Sequence, residues 1–341
     1  MSWWLSHKFE ARRTALEMRP KIMRAIRSFF DEHGFIEVET PILQVCPGVD
    51  THIHGLKTHV LGPDMATGRD FYLQTSPEFD MKRLLVAGMP KIYQICKVFR
   101  DAEGSKLHSP EFSMLEWYRA GADYRKIMDD SVDLLRNVAE SLKIEVYAHG
   151  GKTADPFLNW NLISCQEAFD KYAKIDISEH LDDHAGFAAA IQAHGIRVSE
   201  GDQWDDLFFR VMAEKVEPHL GMDVPCIFYD YPASMAALSR KKPGNTGFAE
   251  RFEIYVCGVE LGNAFSELTD AAEQRARITA DMAKKRELYG FDYPVDEDFL
   301  KALEHGMPES GGIALGLDRL LMLATNAEDI SQVLWTGRFG A

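Results

Sequence analysis

Residues 91–120 constrain the fold most tightly. KIYQICKVFR (91–100) and EFSMLEWYRA (111–120) are two β-patterned runs joined by a polar loop, which predicts an antiparallel pair of strands. Successive strand side chains point to opposite faces, so Phe112, Met114, Glu116 and Tyr118 share one face, and Ser113, Leu115, Trp117 and Arg119 the other. One face thus carries an aromatic ring, a carboxylate and a phenol in line. The loop adds Arg100, Glu103, Lys106 and His108, a charge load that contributes little to packing. Taken alone, this element is either a decorated surface hairpin with solvated charges or a site for a phosphate chain and an amino group.

The remaining pattern is mixed. PKIMRAIRSFFDEH (20–33) spaces Ile22, Met23, Ile26, Phe29 and Phe30 as a helix opening at Pro20 and stopping at Gly34. FIEVETPIL (35–43) predicts a short edge strand ended by Pro41. FYLQTSP (71–77) reads as a strand, EFDMKRLLVAGM (78–89) as a helix following Ser76 and Pro77, and YRKIMDDSVDLLRNVAESLK (124–143) as another helix. Residues 150–225 alternate helical stretches with polar loops and carry no interpretable motif. CIFYDYPASMAAL, RFEIYVCGVELGNAFSEL and GGIALGL add three strand-like runs, the last leading straight into the helix DRLLMLAT. Helices flanking a mostly antiparallel sheet define an α+β fold.

Composition narrows the partners. At 341 residues with 46% hydrophobic content, the chain buries a substantial core. Its net charge of −15, from 53 acids against 38 Lys and Arg, argues against a broad nucleic-acid surface. Cys46, Cys96, Cys165, Cys226 and Cys257 form no CxxC pair, so they read as reduced core residues rather than a zinc ribbon or disulfide framework. No run approaches the roughly 20 apolar residues of a membrane span, and MSWWLSHKFEARR is too short in apolar content for a signal peptide. The expectation is a cytoplasmic protein with no membrane partner.

Two further stretches offer chemistry. RFEIYVCGVELGNAFSEL (251–268) sets Glu253, Glu260 and Glu267 seven residues apart with Gly258 between the first two. If Gly258 marks a turn or bulge, Glu253 and Glu260 can face each other across adjacent strands, as hard oxygen ligands of the kind magnesium takes on phosphate substrates. Asn263, Phe265 and Glu267 would share one face; solvated carboxylates around a core Phe265 fit the same pattern. GGIALGLDRLLML (311–323) ends a strand in glycines before Asp318 and Arg319 open a helix. Such glycines let a flat ligand approach the backbone, and an arginine there can stack on a base or pair with phosphate. The pattern is neither a Walker loop nor a GxGxxG fingerprint.

FIEVETP, the FR…HSPEFSMLEWY block and GIALGLDR resemble, in order, motifs 1, 2 and 3 of class II aminoacyl-tRNA synthetases. TSPE (75–78), FRDAEGSKLHSPEFSMLEWY (99–118), FYDYPAS (228–234) and RFEIYVCGVELGNAFSELTDA (251–271) are similar to the lysyl subclass. The resemblance runs from about residue 19 to the C-terminus and is weakest between 150 and 225. It implies an N-terminal arm over 1–18 and a class II catalytic domain over 19–341, with 150–225 a variable, mostly helical segment. Only 34 residues precede Phe35, too few for the anticodon-binding barrel of lysyl-tRNA synthetases. The chain therefore resembles free-standing lysyl-type cores, which implies no tRNA partner, elongation factor P as the protein partner, and (R)-β-lysine or lysine as substrate.

The resemblance also implies ATP as a substrate, Mg2+ beside it, and a homodimer built on motif 1. Arg100 and Arg319 take the catalytic roles. ATP would meet Arg100, Asp101, Ala102, Glu103, His108, Ser109, Phe112, Glu260, Leu261, Gly316 and Arg319, with Arg100 on the α-phosphate and Phe112 and Arg319 enclosing adenine. Ser76, Pro77, Glu78, Glu116, Tyr118, Asn263, Phe265 and Glu267 match the pocket for the substrate's amino groups and carbon chain, and Glu253 with Glu260 match the magnesium pair. There are departures. FRDAE replaces FRNE, putting Ala102 at the usual acid position and Glu103 one place on; Ser109 replaces Asn, and Ala314 and Ala264 stand where glycine is typical. Alternatives are a tRNA-independent lysyl adenylate-forming synthetase, a related small-molecule ligase of the asparagine synthetase type, and a catalytically silent lysine-binding paralogue.

Overall fold

The computed structural model describes residues 3–236 and 238–336. Its main sheet contains β1 (Ile36–Glu37), β2 (Lys91–Phe99), β3 (Glu111–Ala120), β4 (Asn161–Ser164), β5 (Cys226–Pro232), β6 (Phe248–Val256), β7 (Val259–Ser266) and β8 (Ser310–Gly316). Across the sheet they run β1-β2-β3-β8-β7-β6-β5-β4. The six inner strands are mutually antiparallel, and each edge strand lies parallel to its neighbour. The expected antiparallel pair, β2 and β3, is formed, and it lies next to the edge strand β1. Between β6 and β7, Cys257 and Gly258 both take positive φ, 55° and 76°, which gives the tight hairpin whose twist suits paired strands.

Three helices cover one face: α1 (Ser6–Glu32), α3 (Tyr124–Leu142) and α5 (Leu317–Thr325), while α2 (Glu78–Val86) and α4 (Ala271–Tyr289) stand on the other side. Leu115, Trp117, Ile254, Ile313 and Leu315 project into the first layer against Ile26, Phe30, Leu134 and Leu320. Phe30 stacks on Tyr93 with ring centroids 4.5 Å apart. This alternation makes one sheet face apolar and leaves the other free for chemistry.

Two expectations are corrected. The helix expected over 20–33 begins at Ser6, with Pro20 inside it. An interior proline costs about 3 kcal/mol or more. Here Leu16, Ile22, Ile26, Phe29 and Phe30 are buried on both sides of it, and Arg12 and Arg19 tie the helix to the 331–334 carbonyls. The strand expected over 35–43 pairs only at Ile36 and Glu37, whereas Leu43–Gln44 joins a separate small sheet with Gly68–Leu73 and Lys57–Leu61. Pro41 lies in the break, where it cannot donate to a ladder.

The 150–225 segment is more than helices and loops. It supplies the edge strand β4 and has its own apolar core, in which Phe187, Trp204, Phe208 and Phe169 stack in series at centroid spacings of 5.2, 5.7 and 5.2 Å. Cys46, Cys165, Cys226 and Cys257 are buried, Cys96 is half-buried, and all five are free thiols. No helix among the described residues is long and apolar enough to cross a membrane.

Candidate active site

The second sheet face forms the floor of a cavity of about 920 Å³. Strand register sets its tiling. One row across four strands reads Glu116, Ala314, Asn263, Glu253, and the next reads Tyr118, Gly312, Phe265, Arg251. All eight line the cavity. The period-two reading of β3 thus assigns Phe112, Met114, Glu116 and Tyr118 to the correct side.

At one end three carboxylates converge. Glu116 accepts hydrogen bonds from Ser76 Oγ at 2.5 Å and from the Tyr118 hydroxyl at 3.0 Å. Burial, reinforced by the nearby charge of Glu78, pushes its carboxyl up to about 8. Glu267 is pushed up to about 7, first by burial; Lys82 opposes that shift and Glu78 adds to it. Ser76, Pro77, Glu78, Asn263, Phe265 and Glu267 all line this end together with Glu116 and Tyr118. Gly312 is required here: a Cβ would sit 2.2 Å from the Tyr118 ring and 2.7 Å from Glu267 Oε1, so its absence lets both lie across the strand.

The other end is cationic. The partly buried Arg100 guanidinium lies 5.2 Å from the Phe112 ring centroid, and among the described residues its one side-chain hydrogen bond is a long 3.4 Å one to the Thr75 carbonyl. Arg319 donates to the Glu260 carbonyl at 2.7 Å and to His108 Nε2 at 2.6 Å, and lies 3.5 Å from the Glu260 carboxylate. Burial, then the Arg319 charge, lowers the His108 pKa, which suits a neutral ring that accepts from arginine. Glu103, Ser109, Leu261 and Gly316 also line this end. Asp101 and Ala102 do not. Asp101 pairs with His54 through the backbone, and Ala102 adopts a left-handed conformation with φ 58°, its N–H held by Asp101 Oδ1 at 2.8 Å. That turn delivers Glu103 to the wall instead.

Glu253 and Glu260 both line the cavity, but they do not face each other across the strands: Glu260 lies opposite Tyr255 and Glu253 opposite Asn263, with a register shift between the two pairs. Desolvation, and then the negative charge of Glu253, raise the Glu260 carboxyl, while the charges of Arg319, Arg251 and Arg100 oppose the shift. Among the described residues no set of three or more His, Cys, Asp or Glu converges as a closed metal site. Two carboxylates on one cavity wall are the kind of protein contribution that magnesium takes when phosphate oxygens and water complete its shell.

Several residues at the site carry no separate sequence signal. Lys82 bridges Glu78 and Glu267, and Arg251 donates to Glu253 at 2.6 Å. Arg19 pairs with Asp318, which accepts from the Ser113 N–H at 2.8 Å, so α1 anchors the helix that bears Arg319. The helical spacing of Glu78 and Lys82 was available in the sequence, but i,i+4 pairs are ordinary surface features. Ala264 belongs to the apolar core on the opposite face, whereas Ala314 sits on the cavity floor between Asn263 and Glu116.

The chain matches the family model of class II tRNA synthetases (D, K and N) over residues 3–338, and it belongs to that family. Within it, the chain is 42% identical over 317 residues to the elongation factor P--(R)-beta-lysine ligase of Edwardsiella ictaluri, covering 93% of this chain and 92% of that protein. Proteins of the same name from Pectobacterium carotovorum and Vibrio cholerae are each 40% identical, over 93% of this chain and 92% and 93% of their own lengths.

Proposed function

We propose that this chain is an ATP-dependent, AMP-forming ligase that activates (R)-β-lysine, or lysine, and transfers it to a lysine side chain of elongation factor P. The observation that carries this reading is the polarity of a single cavity floor: Arg100, which among the described residues makes no carboxylate hydrogen bond, at one end, and Glu78, Glu116 and Glu267 gathered at the other. A substrate with an anionic carboxylate and two ammonium groups fits that polarity. The near full-length similarity to the named ligases points to the same chemistry.

In this mechanism the amino acid's carboxylate, already ionised at neutral pH, attacks the α-phosphorus of ATP, and pyrophosphate leaves. No protein base is required. Arg100 neutralises charge that builds on the α-phosphate, and Phe112 and Arg319 hold the adenine. Glu253 and Glu260 would hold magnesium, which when bound offsets the triphosphate charge. A neutral ε-amine of the acceptor lysine then attacks the mixed anhydride carbonyl, and AMP departs.

A cytoplasmic homodimer without tRNA completes the reading. Ile36, Ile42, Leu43 and Val45, in and beside motif 1, are 52, 42, 44 and 49% exposed, an apolar edge suited to a second copy. The test is ATP–pyrophosphate exchange with α-lysine, (R)-β-lysine and (S)-β-lysine, followed by mass analysis of elongation factor P and a tRNA-charging control. Exchange with a diamine and a matching mass gain on the factor are expected. Exchange with no diamine would sink the reading, and a charged tRNA would redirect it to a synthetase.

A further inference from the structure

We propose that Lys82 is a positioning residue of the diamine slot: its ammonium, shared by Glu78 and Glu267, aims both carboxylates at the substrate's amino groups. The inference rests on the diamine reading above and names a determinant within it.

Lys82 is not a surface partner of Glu78. Its side chain is 1% exposed, and Nζ lies 2.5 Å from Glu78 Oε1 and 2.5 Å from Glu267 Oε2. Burial alone would strip an ammonium of its proton, but the charges of Glu267 and Glu78 more than reverse this, holding the Lys82 pKa above the ordinary lysine value. The charged and titratable groups around it are Glu78 on its own helix, Glu267 after β7, and Glu116 and Tyr118 on β3.

Glu267 supplies the second observation. It is 2% exposed and lines the cavity; Oε2 meets Lys82 Nζ, whereas Oε1 has no hydrogen-bond partner among the described residues. Buried carboxylates normally fill that capacity, so the open oxygen points to a cation arriving from the cavity.

The proposal is tested by steady-state ATP–pyrophosphate exchange across pH 6–9 with Lys82→Met and the double variant Lys82→Met, Glu78→Gln. Without the ammonium, Glu267 titrates at higher pH and is protonated at pH 7. For Lys82→Met the KM for (R)-β-lysine at pH 7 should rise about tenfold or more, the equivalent of at least one pKa unit. The KM for ATP and kcat should stay within about threefold, as for a residue that acts through the slot alone. The rising limb of 1/KM should move up by about one pH unit, so the deficit narrows towards pH 9. The double variant removes charge and partner together, so it avoids a lone buried charge and should return the limb towards the wild-type position. A Lys82→Met profile parallel to wild type at every pH overturns the proposal, as does a limb that stays shifted in the double variant. Wild-type protein that exchanges with no diamine overturns the underlying reading instead, and the inference with it.

Discussion

Glu116 and Trp117 are consecutive on β3 and equally hidden from water, at 1% and 0% exposure, yet burial does opposite things to them. Trp117 is packed between α1 and the sheet, 5.4 Å from Phe30, where removing an aromatic ring from water stabilises the fold. Glu116 faces the cavity, where the same exclusion of water disfavours its charged form and raises its carboxyl to about 8. The difference teaches how one sheet divides its labour. The helix-covered face supplies stability, and the open face holds poorly solvated charges that are satisfied only by a ligand of complementary charge.

The sharpest way to break this division is Arg100→Ala. Because among the described residues the guanidinium makes only a long bond to Thr75, its loss should leave the melting temperature nearly unchanged while ATP–pyrophosphate exchange falls by about a thousandfold. Near-normal exchange would remove Arg100 from the phosphate role. Gly312→Ala probes the carboxylate end. Its Cβ would displace the Tyr118 ring and Glu267, so the KM for the diamine should rise by about a hundredfold with ATP binding intact. A comparable loss of ATP binding would mean that the two ends are not independent.

A paired methyl deletion compares the faces directly. Ala314→Gly opens the cavity floor and should shift preference towards α-lysine by about tenfold, read as the ratio of exchange rates for the two isomers. Ala264→Gly, on the helix-covered face, should cost about 1 kcal/mol in denaturant unfolding and leave that ratio alone. A preference shift from Ala264→Gly would contradict the assignment of faces.

Much of this arrangement is legible from sequence because strand alternation is local. The facing of Phe112, Glu116 and Tyr118, and of Asn263 and Phe265, follows from period two once the strands are placed, and Gly258 correctly marks the hairpin. What is not legible depends on distant contacts. Pro20 signals a helix start, but burial of Leu16 and the reach of Arg12 and Arg19 to the C-terminal region carry the helix through it. Lys82 looks like a solvated i,i+4 partner until β7 brings Glu267 against it. The displacement of Ala102 from the cavity wall depends on its left-handed backbone, which no side-chain pattern announces.

The most direct discriminator is the melting temperature of Glu116→Gln and Trp117→Leu at pH 5 and pH 8, measured with diamine-dependent exchange. The native Glu116 carboxyl holds its proton up to about 8, against an ordinary value of 4.5, so its contribution to stability is lost as pH rises through that window. Glu116→Gln should therefore gain stability over wild type between pH 5 and pH 8 while its KM for the diamine rises; Trp117→Leu should lose stability at both pH values and keep the KM. Glu116→Gln protein that is less stable than wild type at pH 8, with exchange intact, would contradict the division of the sheet into a structural and a chemical face.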